Sequence, residues 1–188
     1  MPRPKTRPDE EILEVALSLM RSEGPDGLTF ANLAGRCGLS PATLVQRFGS
    51  KAKLKQSALL LAWDRLEGQT ASLAETVPKT PAGAIELMVE LSGQYGGIES
   101  YAEGLLLLRE DLRDPMLRER GAKWKKTLSE AIEACFSGVV GVASGIGLLA
   151  ATHWQGSLLW WSFDPKEDLE RYVENSLRSF VAAILTPR

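Results

Sequence analysis

Residues 29–51 read TFANLAGRCGLSPATLVQRFGSK, and this stretch decides the fold. Phe30, Leu33, Ala34 and Cys37 fall at i, i+3, i+4 and i+7, the apolar stripe of one short helix, with Thr29 placed to cap its start and Gly38 to end it. Leu39 faces inward from the turn. Ser40 and Pro41 form a cap and first-turn pair, opening a helix in which only Leu44 and Phe48 need burial before Gly49 stops it. Ser50 caps the next helix, which starts at Lys51 and runs into the low seventies. Helix, four-residue turn with a glycine, helix is the sequence form of a helix-turn-helix.

Working outward, the same periodicity continues in both directions. Upstream, Pro8 and the acids Asp9, Glu10 and Glu11 open a helix whose Ile12, Leu13, Ala16, Leu17 and Met20 recur at three and four residues, and Gly24 stops it. Downstream, VPKTP breaks the chain after Thr76, and Thr80 with Pro81 restarts it to about Tyr95. A leucine-rich piece, Leu105 to Leu108, leads to Asp114 and Pro115, which open a helix to about Phe136. From about Ser144 to Trp161 the chain is apolar on almost every side, so more than one face of that helix should be covered. Asp164 and Pro165 precede a last helix striped by Leu169, Tyr172, Val173, Leu177, Phe180, Val181 and Ile184. No strand pattern or repeat interrupts this, and the expected class is all-α, with a head at 1–55, a connecting helix at 51–73, and a larger helical body at 56–188.

Composition limits the function. The chain has 188 residues, 44% hydrophobic and 24% charged, the balance of a folded globular protein. No uninterrupted apolar run is long enough to span a membrane. The opening MPRPKTRPDEE has no apolar segment of a secretory signal, which sets the cytoplasm as the expected location. Cys37 and Cys135 fit no metal-ligand spacing, His153 is the only histidine, and no glycine-rich phosphate loop occurs, so neither a metal, a cofactor nor catalysis is expected.

Charge is unevenly placed. Residues 1–55 hold nine Lys/Arg and six Asp/Glu, while the rest of the chain carries an acidic excess. Between Gly27 and Trp63 there is no acid, yet Arg36, Arg47, Lys51, Lys53 and Lys55 fall there. Lysines at a helix start oppose the dipole by about 0.3–1 kcal/mol each, an arrangement that makes sense where an anion docks. Free amides beside Lys51, and the helix start at Ser40, suit nucleic-acid phosphates. With Leu44 and Phe48 buried, Ala42, Thr43, Val45, Gln46 and Arg47 lie on other faces; Arg pairs with guanine, Gln with adenine, and Thr or Val methyls touch thymine. Two rival readings remain: a helical enzyme or metal protein, and a helical interaction module whose basic head binds an acidic partner.

The run from Ile12 to Leu54, ILEVALSLMRSEGPDGLTFANLAGRCGLSPATLVQRFGSKAKL, resembles the DNA-binding head of the tetracycline-repressor (TetR) family, including the turn, the TL pair, Phe48 and the GSK that opens the next helix. The resemblance implies a homodimeric transcriptional regulator, a repressor of double-stranded operator DNA released by a small molecule. It implies phosphate contacts from Thr29, Ser40 and Lys51, and contacts to bases or nearby backbone from Ala42, Thr43, Gln46 and Arg47. Val45 stands where the family usually has a DNA-packing tyrosine, which removes a hydroxyl interaction.

The body carries fewer local signals. Family bodies dimerise through their last two long helices, and here Ser157, Leu158, Trp161, Tyr172, Leu177 and Phe180 are the expected interface. Met88, Leu91, Tyr95, Tyr101, Trp124, Leu128, His153 and Trp154 are the candidate lining of a pocket for an apolar or aromatic effector. For each alone, membership of the core is the plainer reading.

Overall fold

The computed structural model describes residues 7–186. Among these the chain is all-α, with α1 (Asp9–Gly27), α2 (Phe30–Cys37), α3 (Pro41–Phe48), α4 (Lys51–Thr76), α5 (Pro81–Ser92), a 3-10 turn (Gly93–Tyr95), α6 (Ile98–Arg113), α7 (Pro115–Ala134), α8 (Ile146–Trp161) and α9 (Leu169–Leu185). None of the described helices is long and apolar enough to cross a membrane.

The boundaries follow from caps and breakers. Thr29, Ser40, Thr80 and Asp168 each accept a bond from a backbone N–H of the first helical turn through their side chains, satisfying amides that have no partner inside the helix. Gly38 closes α2 in the left-handed region at φ 66°, where its N–H reaches the Ala34 carbonyl and turns the chain toward α3; a side chain with a Cβ adopts that backbone only at a cost. The helical run of α1 breaks at Gly24 (φ 75°), as the sequence expects, and a short turn through Pro25 completes the element.

The chain forms two compact units. The first comprises residues up to Arg65 together with 102–119; the second comprises 66–101 and 120 onward. Where the sequence puts everything beyond residue 55 in the body, the structure gives the first unit the early part of α4, most of α6 and the start of α7. The physical reason is burial: Leu107 and Leu117 fill the same core as Ile12, Leu19, Met20, Leu33, Leu44 and Leu54. The second unit closes around Leu87, Met88, Leu91, Ile132, Trp154, Leu158, Val173 and Leu177.

Candidate nucleic-acid interface

Helix α3 is only eight residues long, so its orientation is fixed by what it buries. Leu44 is fully buried and Phe48 half-buried, which turns Ala42, Val45 and Gln46 outward to solvent. Val45 is 44% exposed, an apolar residue left facing water. Thr43 and Arg47 flank that side and are half-buried. Ser40 caps the helix through the Thr43 amide at 3.1 Å, and its hydroxyl lies 2.8 Å from the Thr43 hydroxyl, so both side chains sit beside the free amides of the α3 start. Thr29 caps α2 in the same manner, accepting from the Asn32 amide at 3.0 Å.

The α4 start carries the cations that the sequence singles out, and the structure separates them. Lys51 is exposed and donates from Nζ to the Asp26 carbonyl oxygen at 3.0 Å, a neutral acceptor that leaves its positive charge unopposed. Lys53 is exposed, and its amide is held by the Ser50 hydroxyl. Lys55 turns inward and pairs with Glu110 of α6. The hydrogen bond from Lys55, opposed by burial, holds the Glu110 carboxyl below its usual range. Arg36 is likewise paired, with Glu23 at 2.6 Å.

Arg47 of α3 makes a contact with the start of α1. Its Nη1 donates to the Arg7 carbonyl oxygen at 2.6 Å and lies 3.2 Å from Asp9 Oδ1, so its guanidinium is engaged at the start of α1. The sequence offers no sign of this contact, because its two ends lie forty positions apart.

In the second unit, seven of the eight pocket candidates converge. Met88, Leu91, Leu128 and Trp154 are core residues, with Trp154 donating its indole N–H to the Ser92 hydroxyl at 2.8 Å. Trp124 lies 6.4 Å from the Trp154 ring and donates to the Thr70 hydroxyl. Tyr95 and Tyr101 meet edge to face at 5.5 Å, and burial, aided by Tyr101, pushes the Tyr95 phenol up to about 12. His153 stands apart, stacked on Phe180 with Nε2 2.9 Å from the Ser176 hydroxyl.

Burial divides the expected interface residues. Leu158 and Leu177 are wholly buried in their own chain, and Ser157 and Trp161 nearly so. Tyr172 and Phe180 remain half-exposed. The outward side of α8 is carried instead by Leu148, Leu149, Leu159 and Trp160, the last 68% exposed, with Phe163 just beyond.

Residues 12–58 match the model of the family described as bacterial regulatory proteins, tetR family. Among solved structures, the chain is similar to a transcriptional regulator from Rhodococcus sp. (TM-score 0.74, 15% identity, 97% of this chain and 100% of that one). It is also similar to the TetR family transcriptional regulator PfmR from Thermus thermophilus (0.63, 22%, 93% and 96%). A third is AibR, solved in complex with isovaleryl coenzyme A and operator DNA (0.65, 20%, 96% and 99%). At these identities the likeness shows the fold. No curated protein matches the chain.

Proposed function

We propose, from the premise that the head at residues 12–58 belongs to the tetR family of bacterial regulatory proteins, that this chain is a DNA-binding transcriptional repressor. The observation that carries the reading is the outward side of α3. Ala42, Val45 and Gln46 face solvent from a helix whose start is capped by Ser40, and the next helix starts at Lys51, whose ammonium is exposed. A major groove accepts such a helix, with Gln46 placed for an adenine edge, and Val45, Ala42 and the Thr43 methyl for thymine. Thr29, Ser40 and Lys51 then hold phosphates, setting register without reading sequence.

One short helix reads only a few base pairs, so the reading includes a two-fold pair of heads on a near-palindromic operator. The exposed apolar side of α8, from Leu148 to Trp160, is the surface on which a second copy pairs, flanked by Tyr172 and Phe180 of α9. The effector is an apolar or aromatic small molecule bound among the second unit's aromatics. It releases DNA only through unequal affinity for two states of the protein, and a coupling of about 1–3 kcal/mol reduces binding roughly 5- to 150-fold.

Selection of bound duplexes from a random pool tests the reading. The expected product is a site of two-fold symmetry, bound with a steep dependence on salt. Recovery of no sequence preference, or binding to acidic polypeptide and duplex alike, would sink it.

A further inference from the structure

We infer, resting on the dimeric reading above and adding to it a direction and a register, that two copies of this chain meet with their α8 helices antiparallel and crossing at Gly156, each seating its Trp160 in a groove of the partner walled by His153 and Phe180. Three features of α8 and α9 carry this. The first is Trp160, whose ring stands largely in solvent in the last turn of α8, 5.9 Å from the ring of Phe163, which is exposed too. A tryptophan left outside its own core is the residue type that most often anchors an interface. The second is a surface groove of about 380 Å³ on α8 and α9, lined in part by His153, Tyr172, Asn175, Ser179 and Phe180. The His153 ring lies on that of Phe180 at 4.6 Å and its Nε2 is 2.9 Å from the Ser176 hydroxyl, so this wall is held in place. An indole entering the groove meets aromatic rings, and oxygens of Asn175 and Ser179 are there to accept from its N–H.

The third feature is Gly156. Helix α8 holds two glycines. A Cβ on Gly147 would stand 2.0 Å from the Ser129 carbonyl oxygen, so packing within the chain demands that glycine. A Cβ on Gly156 would meet nothing within 4 Å, and alanine is the better helix former, so nothing within the chain demands this one. Its use is to let a second backbone come close. The spacing then sets the direction. His153 and Trp160 are nearly two turns apart on one face of α8, about 10 Å along the axis, with Gly156 between them. Turning a second α8 end for end about Gly156 lays each Trp160 beside the partner's His153, and each exposed Leu149 beside the partner's Phe163. Parallel helices would set Trp160 against Trp160 and leave both grooves empty. The exposed residues of α8 are uncharged, so no like-charge repulsion opposes the meeting.

The test uses the full chain, with the dimer dissociation constant measured by sedimentation velocity. Trp160→Ala is expected to raise that constant by about 30-fold or more, the loss of an interface anchor. Gly156→Leu is expected to abolish the dimer while leaving helicity and the melting of the diluted chain intact, since its side chain has open space within its own copy. Direction is read from disulfides formed on mild oxidation, in a Cys37→Ser background whose remaining Cys135 is buried. Gly156→Cys is expected to link to itself. Chains carrying Trp160→Cys, mixed with chains carrying His153→Cys, are expected to link to each other faster than either links to itself; in such a mixed dimer the second Trp160 and its groove are untouched.

Two results would overturn the inference and leave the dimeric reading standing: faster linkage of Trp160→Cys to itself, which a parallel meeting requires, or a folded Gly156→Leu chain that dimerises like the unaltered protein. Should circular dichroism show that Gly156→Leu loses helicity, the cysteine pairs decide. An unaltered protein that stays monomeric would remove the dimeric reading and this inference together, and needs no variant to recognise.

Discussion

Replacing Asp111 by asparagine should stabilise the first unit at neutral pH and do nothing in acid. Asp111 lies on α6 and accepts from the Trp63 indole N–H of α4 at 3.3 Å. Burial pushes its carboxyl up to about 6; the Trp63 bond works against this, and the charges of Asp114 and Glu110 add to it. The sign follows from linkage. A carboxyl raised in the folded state favours the protonated form, so its contribution to stability is complete below its unfolded value, near 4, and is lost as pH rises through about 6. At pH 7.5 the ionised Asp111 is therefore a cost. Two pH units correspond to about 3 kcal/mol at most, and because part of the side chain still meets solvent we reduce this to about 1–1.5 kcal/mol.

Asparagine keeps an oxygen acceptor for Trp63 and carries no charge at any pH. The expected gain is about 1–1.5 kcal/mol at pH 7.5, about half of that at pH 5, and nothing near pH 4. For a chain of this length it corresponds to roughly 2–6 °C in the melting transition. Far-UV circular dichroism and tryptophan fluorescence follow the melt at the three pH values. The adjacent Glu110→Gln gives the opposite sign, since the bond from Lys55 holds that carboxyl low and its contribution is present at neutral pH and fades in acid. A destabilised Asp111→Asn at pH 7.5, or a gain that does not change with pH, would refute the reasoning.

The other expectations concern packing, phosphate binding and assembly. Gly147→Ala should destabilise the second unit by about 2 kcal/mol or more by thermal melting, against alanine's better helix propensity, because its Cβ would stand 2.0 Å from the Ser129 carbonyl oxygen of α7. Lys51→Ala should flatten the salt slope of duplex binding by about one, whereas Lys55→Ala should not, its charge being already opposed by Glu110. Trp160→Glu should convert the protein to a monomer in light scattering while leaving its helicity intact, since the side chain contributes little to its own chain's core.

The head is legible in the sequence because its boundaries are written locally. Ser40 with Pro41, Gly38, and Gly49 before Ser50 each act within one turn, and the structure uses them as caps and stops. Long-range partners have no such local mark. Nothing near Lys55 announces Glu110, and nothing near Arg47 announces Asp9 or the Arg7 carbonyl. Leu107 and Leu117 read as part of the body for the same reason, though they are buried in the head's core. In α8 the difficulty is different. A helix apolar on every side has no phase, so periodicity does not tell Leu158 and Trp161, which turn inward, from Leu159 and Trp160, which turn out.

The ion pairs change what the basic head can offer to DNA. Of the cations between Gly27 and Trp63, Arg36, Arg47 and Lys55 each face a carboxylate of their own chain, and Lys51 and Lys53 keep exposed charge beside α3. On the proposed reading, two such cations give a salt slope of about two for each head. The reading surface itself, Ala42, Val45 and Gln46, is uncharged and supplies discrimination more than attraction. A single head is therefore a weak ligand for any duplex, and affinity depends on two heads acting on one site, where the linked second contact is intramolecular. The exposed leucines and Trp160 of α8 then determine DNA affinity as directly as the lysines do: a monomeric variant with an untouched head should lose about half of the salt slope together with most of the binding.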